Sequence, residues 1–385
     1  MAVETTPQYG LTQEQLDFLE VIRQMVVEKV TPRAAEIDQT GEYPEDIRKL
    51  FADHDLFGLP FDEQYGGTGT GDLMLCAAIE EIAKGCASSS LMISGQDLSA
   101  LPIKLFGSDE LKDRILPKMA SGEWIGAFAL SEPEAGSDPG SMRTRATRVD
   151  GGWVLNGAKN WITNSGVADL YVTFAVSDPD VKYSRGITAF VVTADSDGFR
   201  IDALENKMGM KGSPTGQPVY EDVFVPDENV IGEVGKGFMV AMQTLDRSRL
   251  GIGAQALGIA QGATDYAVEY AKERIAFGKP INQLQGIQFK LADMETKTAA
   301  ARELLYRAAS KVQAGDPDLG KYSAMAKLFA SDVAMEVTTE AVQVLGGYGY
   351  VKEYPVERMM RDAKLTQIYE GTNEIQRVVI ARSLA

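Results

Sequence analysis

A single histidine, His54, stands in 385 residues. Neither a histidine-bearing metal cluster nor a Ser-His or Cys-His pair has the residues to form, so no metal site is expected and hydrolytic triads drop out. His54 itself, between Asp53 and Asp55, reads as a surface side chain. Cysteine is nearly as scarce. Cys76 and Cys86 are too far apart for a Cys-x-x-Cys pair and lie in a helix-like run with Ile79 and Ile82, which points to buried free thiols and a reducing compartment. No apolar run reaches membrane-spanning length. Positive charge is short as well: 38 basic against 55 acidic residues give a formal charge of −17, a field that repels polyanions and argues against nucleic acid or anionic membrane as partners. A phosphate-bearing small ligand would need local donors. The first ten residues have neither the apolar core of a signal peptide nor the arginine-rich, acid-poor texture of a transit peptide. A soluble, cytoplasmic protein is expected, or one of the mitochondrial matrix should a presequence be missing.

The length suggests two or three domains. Thr12 and Gln15 can form a capping box for a first helix, worth about 1 kcal/mol, with Leu11 stapled onto Leu16. Leu16, Leu19, Ile22, Met25, Val26 and Val30 then recur at the spacing of one buried helical face. Further helical runs are expected at 44–56, 72–86, 88–106 and 109–120, with the glycine-rich 66–71 as a loop. From Trp124 the texture changes to short β-branched and aromatic runs at 125–130, 144–149, 153–155, 170–176, 187–192, 199–201 and 219–225, with Asp150-Gly151-Gly152 as a hairpin turn. Strands at this spacing without intervening helices predict a small antiparallel barrel or sandwich. After Gly235-Lys236-Gly237 long helical runs return at 237–273, 284–314 and 318–345, then a short one near 354–364 and a last from 372, enough for a four-helix bundle. The expected architecture is α+β and multidomain: a helical domain over 1–123, a β domain over 124–235 and a helical bundle over 236–385.

Several local patterns carry two readings. Gly251-Ile252-Gly253-Ala254-Gln255-Ala256 matches a loose nucleotide-binding pattern, but it follows no strand and reads as helix packing through small residues. Glu80-Glu81 reads as a solvated helix face, since adjacent helix residues point about 100° apart. The stretch from Phe128 through Leu130, Ser131 and Ser137 runs from a strand into a tight turn rich in hydroxyls and amides, able to cradle an anion or a ring edge. In Asn160-Trp161-Ile162-Thr163-Asn164, Trp161 and Thr163 share a face if the segment is a strand, either as a wall for a planar cofactor or as core. Glu370, between Tyr369 and Gly371 at a break between helical runs, is either a helix-entry acid favoured by the dipole or a catalytic base aimed into a cleft.

Taken in order, Leu130-Ser131-Glu132-Pro133 with Ala135-Gly136-Ser137-Asp138, Trp161-Ile162-Thr163-Asn164, Arg274 with Phe277-Gly278-Lys279-Pro280, Gln343-Val344-Leu345-Gly346-Gly347-Tyr348-Gly349-Tyr350, Arg358-Met359-Met360-Arg361-Asp362 and Ile368-Tyr369-Glu370-Gly371-Thr372 resemble the signatures of the acyl-CoA dehydrogenase family over nearly the whole chain. The resemblance implies a helical, then β, then four-helix fold, and α,β-dehydrogenation of an acyl-CoA with FAD. It implies that Glu370 removes the α-proton while its backbone amide helps polarise the thioester carbonyl. It places Phe128, Leu130, Ser131, Ser137, Trp161, Ile162 and Thr163 around the flavin ring, with Thr163 near N5. Arg274, Phe277, Gln285, Gln343, Gly346 and Gly347 would hold the adenosine diphosphate part of a neighbouring subunit's FAD, and Thr372 and Glu374 belong to the cofactor set. Ser137, Asp246, Arg249, Tyr369 and Gly371 would contact the acyl-CoA.

A homotetramer, a dimer of dimers, and an electron-transferring flavoprotein as acceptor follow from the same resemblance, as does a short or short-branched acyl chain. Some members carry the acid at the position of Ser248, where serine cannot act as base. Glu134 stands where a small or amide residue is common, and Ile275-Ala276 where a polar pair often follows the arginine, which bears on one hydroxyl contact to the FAD phosphates. An oxygen-using acyl-CoA oxidase and a non-catalytic FAD or acyl-CoA scaffold are the competing readings. Burial beneath substrate should raise the Glu370 pKa more than a helix terminus lowers it.

Overall fold

The computed structural model describes residues 9–181 and 183–384; of the N-terminal ten residues weighed above, 1–8 lie outside the described residues. Six helices come first: α1 Gln13–Met25, α2 Ala34–Thr40, α3 Glu45–Asp53, α4 Gly71–Gly85, α5 Ala87–Phe106 and α6 Asp109–Ala120. The capping box at Thr12 forms as expected, and the chain winds on past α1 as a π-turn over Val26–Val30 that keeps Val26 and Val30 on the buried face. His54 is exposed and both cysteines are buried and free.

Nine strands follow: β1 Gly126–Ala129, β2 Arg145–Val149, β3 Gly152–Ala158, β4 Ile162–Thr163, β5 Leu170–Val176, β6 Ile187–Thr193, β7 Phe199–Leu204, β8 Thr215–Pro226 and β9 Val230–Ile231. They form one sheet with the order β4-β8-β3-β2-β5-β6-β9, β1 adding to β5 and β7 to β8. Most pairings are antiparallel, but β1 and β2 both meet β5 in parallel. The β5 run, buried at six of its seven residues, shows the continuous apolar texture of a strand covered on both faces.

The C-terminal part holds α7 Gly237–Glu273, the two-residue strands β10 Ile275–Ala276 and β11 Lys279–Pro280, then α8 Gln285–Gln313, α9 Leu319–Leu345, α10 Val356–Thr366 and α11 Asn373–Arg382. α7 does not pack on its bundle partners alone. A Cβ at Gly258 would stand 2.3 Å from the Glu80 carbonyl oxygen, and one at Gly262 would stand 2.6 Å from that of Lys84. α4 and α7 therefore approach backbone to backbone, and the first and last helical segments share one apolar core. Small-residue packing, rather than nucleotide binding, is what the Gly251–Ala256 region of α7 does.

The solvated-face reading of Glu80 and Glu81 is overturned. Both are buried, at 2% and 3% exposure, because each points at a different cation. Glu80 accepts from Arg302 Nε and Nη2 at 3.0 Å and from the Tyr306 hydroxyl at 2.9 Å, tying α4 to α8. Glu81 pairs with Arg23 of α1 and Lys84 at 3.1 and 2.9 Å.

The Arg358–Asp362 motif is a junction of all three parts. Arg361 holds Asp38 of α2 through two hydrogen bonds of 2.8 and 2.7 Å and donates to the Met208 carbonyl at 3.0 Å, while Asp362 accepts the Met210 amide at 2.5 Å. No helix among the described residues is long and apolar enough to cross a membrane. Arg361→Met leaves Asp38 part-buried without its partner, so urea unfolding should show a loss of roughly 2–4 kcal/mol, nearer the cost of breaking a buried pair than an exposed one.

Candidate active site

Glu370 lies between α10 and α11 with a φ of 51°, and Gly371 follows at 91°. A non-glycine residue in this left-handed region costs roughly 1–2 kcal/mol, so the surroundings must enforce it. They do. Gln376 Nε2 donates to the carbonyls of Glu370 and Gly371 at 3.2 and 2.7 Å, and Lys327 Nζ donates to the Gly371 carbonyl and Asn373 Oδ1 at 2.9 and 3.0 Å. Thr372 then caps α11 by accepting from the Ile375 amide. The Tyr369 hydroxyl bonds to Gln255, whose amide group donates to the Ala87 carbonyl and Ser90 Oγ of α5, so this tyrosine anchors the turn on α5 and α7.

The Glu370 carboxyl meets α7. Ser248 Oγ donates to its Oε2 at 2.6 Å. Burial pushes the carboxyl up to about 6, against the Ser248 hydrogen bond and the charges of Lys327 and Arg249. This rise is present in the free chain, before any substrate excludes water. Burial brings Lys327 down to about 7, with Glu370 opposing. Arg249 is buried, bonded to Asp246 at 2.7 Å, and its Nε has no partner among the described residues. Asp97 of α5 is also buried, and burial pushes it up to about 7; Lys104 opposes, while Asp72 and Glu370 add to the rise.

A second group gathers on the sheet. Lys159, fully buried at the end of β3, donates to Glu132 Oε1 at 2.7 Å and to the Leu130 carbonyl at 3.2 Å. Glu132 also takes the amides of Arg143 and Thr144, at 2.5 and 3.0 Å. Burial alone would raise the Glu132 carboxyl, but Lys159 and these donors outweigh it and hold it below its usual range. With the Asn160 amide on the Ser131 carbonyl at 2.9 Å, the two signature segments 128–137 and 160–163 are sewn into one surface.

Trp161 does not share a strand face with Thr163 as alternation predicts. The Asn160 side chain accepts the Trp161 amide at 2.9 Å and turns the chain to a φ of 62°, so β4 starts only at Ile162 and the indole stands 59% exposed. The hydroxyls of Ser131, Ser137 and Thr163 have no hydrogen-bond partner among the described residues. Free donors beside an open indole suit a flat heteroaromatic ring with polar edges. Phe128 is half-buried, Leu130 and Ile162 are buried, Ser137 is exposed, and Glu134 pairs with Arg143 at the surface.

α5 lies between these two groups. Its Gln96 receives the Gly126 amide at 3.0 Å, and Asn164 donates to the Gly126 carbonyl at 2.8 Å, while Ser90 holds Gln255 on the opposite side. A third group of the expected residues lies on other elements. Arg274, its guanidinium 5.2 Å from the Tyr348 ring, Phe277 at 91% exposure, Gln285, Gln343, Gly346 and Gly347 lie on the open surface around the β10–β11 hairpin and the end of α9. Phe277 and Gly278 both have positive φ, as a two-residue hairpin turn requires. Glu374 is exposed in the first turn of α11.

Sequence reasoning missed Lys159, Glu132, Lys327 and Gln255. The signal for Lys327 was a cation inside the apolar stripe of α9, between Ala324 and Ala330; Lys159, just before Asn160-Trp161, had no comparable cue.

Family models of acyl-CoA dehydrogenases match the chain in three consecutive parts: the N-terminal domain over residues 12–123, the middle domain over 127–223 and the C-terminal domain over 235–385. An acyl-CoA dehydrogenase of Bacillus subtilis is 46% identical over 97% of this chain and 98% of its own length. The structure of butyryl-CoA dehydrogenase from Megasphaera elsdenii superposes with a TM-score of 0.94 at 47% identity, covering 97% of this chain and 98% of that one. A chain from structural work on the electron transferring flavoprotein of Acidaminococcus fermentans gives a TM-score of 0.95 at 43% identity, with coverages of 97% and 98%. The relatives are oxidoreductases, and the family's cofactor is FAD. The chain belongs to the acyl-CoA dehydrogenase family.

Proposed function

We propose that this protein oxidises a short-chain, straight or branched, acyl-CoA thioester to its trans-2-enoyl-CoA, with Glu370 as the base that takes the α-proton. The observation that carries the reading is the state of Glu370: a part-buried carboxyl raised toward neutrality on an enforced turn. A base is most useful when its pKa lies near the working pH while it stays largely ionised. The Glu370 backbone N–H has no acceptor among the described residues, which leaves it free for the thioester oxygen as negative charge develops there. Because proton and hydride leave adjacent carbons, rate depends on holding both against their acceptors.

FAD, when bound, supplies the acceptor for the β-hydride. Trp161 would cover the ring, the Ser131 and Thr163 hydroxyls would meet its polar edges, and Phe128, Leu130, Ser137 and Ile162 would complete that wall. The Arg274, Phe277, Gln285, Gln343, Gly346 and Gly347 surface, open to solvent, would serve the cofactor of a second copy, in a homotetramer built as a dimer of dimers. Thr372 and Glu374, next along from the base, would complete the cofactor set. Asp246, Arg249, Ser137, Tyr369 and Gly371 would hold the acyl-CoA. Beside Asp246 a groove of about 300 Å³, lined also by Arg247 and Lys321, offers the local cations that phosphates need on an acidic chain. Short acyl length is supported by the butyryl-CoA dehydrogenase relative, and an electron-transferring flavoprotein as acceptor by the Acidaminococcus neighbour.

Anaerobic titration with butyryl-, isobutyryl-, 2-methylbutyryl- and octanoyl-CoA should bleach the flavin most readily with a short chain; bleaching by none of them would sink the reading. Glu370→Gln should keep the yellow cofactor and lose at least about 10²-fold in the rate of flavin reduction, the low end for a general base. The free enzyme's kcat/KM should rise with pH through about 6, as Glu370 loses its proton. The folded pKa lies above the unfolded 4.5, so the stability linked to Glu370 is complete below 4.5 and is lost as pH rises through about 6. Thermal unfolding should accordingly find Glu370→Gln stabilised on the alkaline side of this window and unchanged on the acid side.

A further inference from the structure

Lys327 is fully buried on α9, and its two hydrogen-bond partners among the described residues, the Gly371 carbonyl and Asn373 Oδ1, are both neutral. A buried ammonium with neutral partners is costly unless its charge meets an opposite one nearby. Glu370, one residue before Gly371, is the largest favourable charge Lys327 feels; Asp332 and Glu374 add to it and Arg249 opposes. Asn373 is itself fixed, donating to Ser331 Oγ at 2.9 Å and Asp332 Oδ1 at 2.7 Å. The ammonium is thus held by a rigid frame on α9 and α11 and grips the left-handed turn at its second residue.

The other groups around Glu370 and Lys327 are Ser248 and Arg249 from α7, Tyr369 beside the carboxylate, Asp97 from α5, and Asp332 from α9 and Glu374 from α11, which act on Lys327. Arg249 has a carboxylate of its own in Asp246, and Ser248 brings no charge. Lys327 is therefore the one cation of this set without an ion-pair partner of its own among the described residues. We propose that Lys327 is a positioning residue for the base: it clamps the Glu370–Gly371 turn through the Gly371 carbonyl and supplies the buried positive charge that keeps the neighbouring carboxylate ionised. The inference rests on Glu370 being the base.

The test uses the flavin-loaded protein and follows anaerobic flavin reduction by butyryl-CoA across pH in wild type, Lys327→Met, Lys327→Arg and Glu370→Gln. In Lys327→Met the pH of half-maximal rate should move up by about one unit, which lowers the rate about tenfold on the acid side of the profile and little on the alkaline side. Lys327→Arg, which keeps the charge, should keep the wild-type midpoint. The same upward shift should appear in the Glu370 carboxyl titration, read by infrared difference against Glu370→Gln. An unmoved midpoint in Lys327→Met, whether the rate is normal or uniformly reduced, overturns the proposal. Should Lys327→Met fail to fold, Lys327→Gln keeps an N–H donor for the Gly371 carbonyl without the charge and carries the same comparison. Wild-type flavin reduction by Glu370→Gln would instead remove Glu370 as base, independently of what Lys327 does.

Discussion

The backbone-to-backbone approach of α7 to α4 at Gly258 and Gly262 sets where the Glu370 turn can sit. Any side chain at Gly258 would run into the Glu80 carbonyl, so only hydrogen fits. Residues three, four and seven apart on a helix share a face. Counting back from Gly258 along that face brings Gln255, then Gly251, then Ser248. Gly251 faces Ser94 of α5, Gln255 bonds Ser90 of α5 and Tyr369, and Ser248 reaches Glu370. The depth at which α7 beds on the N-terminal helices is thus also the distance between Ser248 and the Glu370 turn. Core and site are one packing problem here.

Three ionic contacts, two buried and one part-buried, then fix how the remaining pieces dock. Glu80 with Arg302 and Tyr306 sets α8 on α4, Glu132 with Lys159 sets the turn of 130–138 on β3, and Arg361 with Asp38 sets α10 on α2 and on the loop around Met208. Such pairs add little net stability, since desolvation consumes most of the attraction. Their effect is on alternatives. A docking that slipped by one helical turn would leave a charge buried alone, at roughly 3–5 kcal/mol, more than most apolar mismatches cost. Two of them reach signature segments directly, the 130–138 turn and the Arg358–Asp362 stretch; the Ile368–Thr372 turn is held instead by Gln376 and Lys327, and the β10–β11 hairpin and the end of α9 are left open at the surface.

Periodicity made the helices legible: the runs expected at 237–273, 284–314 and 318–345 appear within a residue of those limits, because each long helix has a core face with an apolar stripe. The strands were legible as strands, but the parallel pairing of β1 and β2 with β5 joins segments up to 44 residues apart and leaves no local trace. Glu80 and Glu81 were misread because adjacency says only that two side chains diverge; what they diverge toward, Arg302 and Arg23, lies 222 residues on and 58 residues back. Trp161 was misread because the residue before it decides its backbone. An asparagine there can bind the following amide and break the strand. Glu370 and Phe277 were more legible, each followed by a glycine that flagged the turn, and with Trp161 and Asn164 they make four non-glycine signature residues held at positive φ. Side chains in such conformations are presented outward by strain that packing must sustain, which is why motif residues stood out and the clamps behind them, Lys327 and Lys159, did not.

If Glu370 is the base, as proposed, its hydrogen bond with Ser248 bears on how a base can move within one fold. The two positions are 122 residues apart in sequence and 2.6 Å apart between oxygens. An acid at the position of Ser248, as the resemblance places it in some members, would therefore bring its carboxyl to nearly the same point in space, approaching from α7 instead of from the turn. Two acids there at once would repel, and one would stay protonated. One acid with a small hydroxyl opposite avoids that conflict, and the hydroxyl offsets part of the burial that raises the carboxyl. Serine at 248 is thus the complement of glutamate at 370: it leaves the space and the proton to a single carboxylate while still donating to its ionised form.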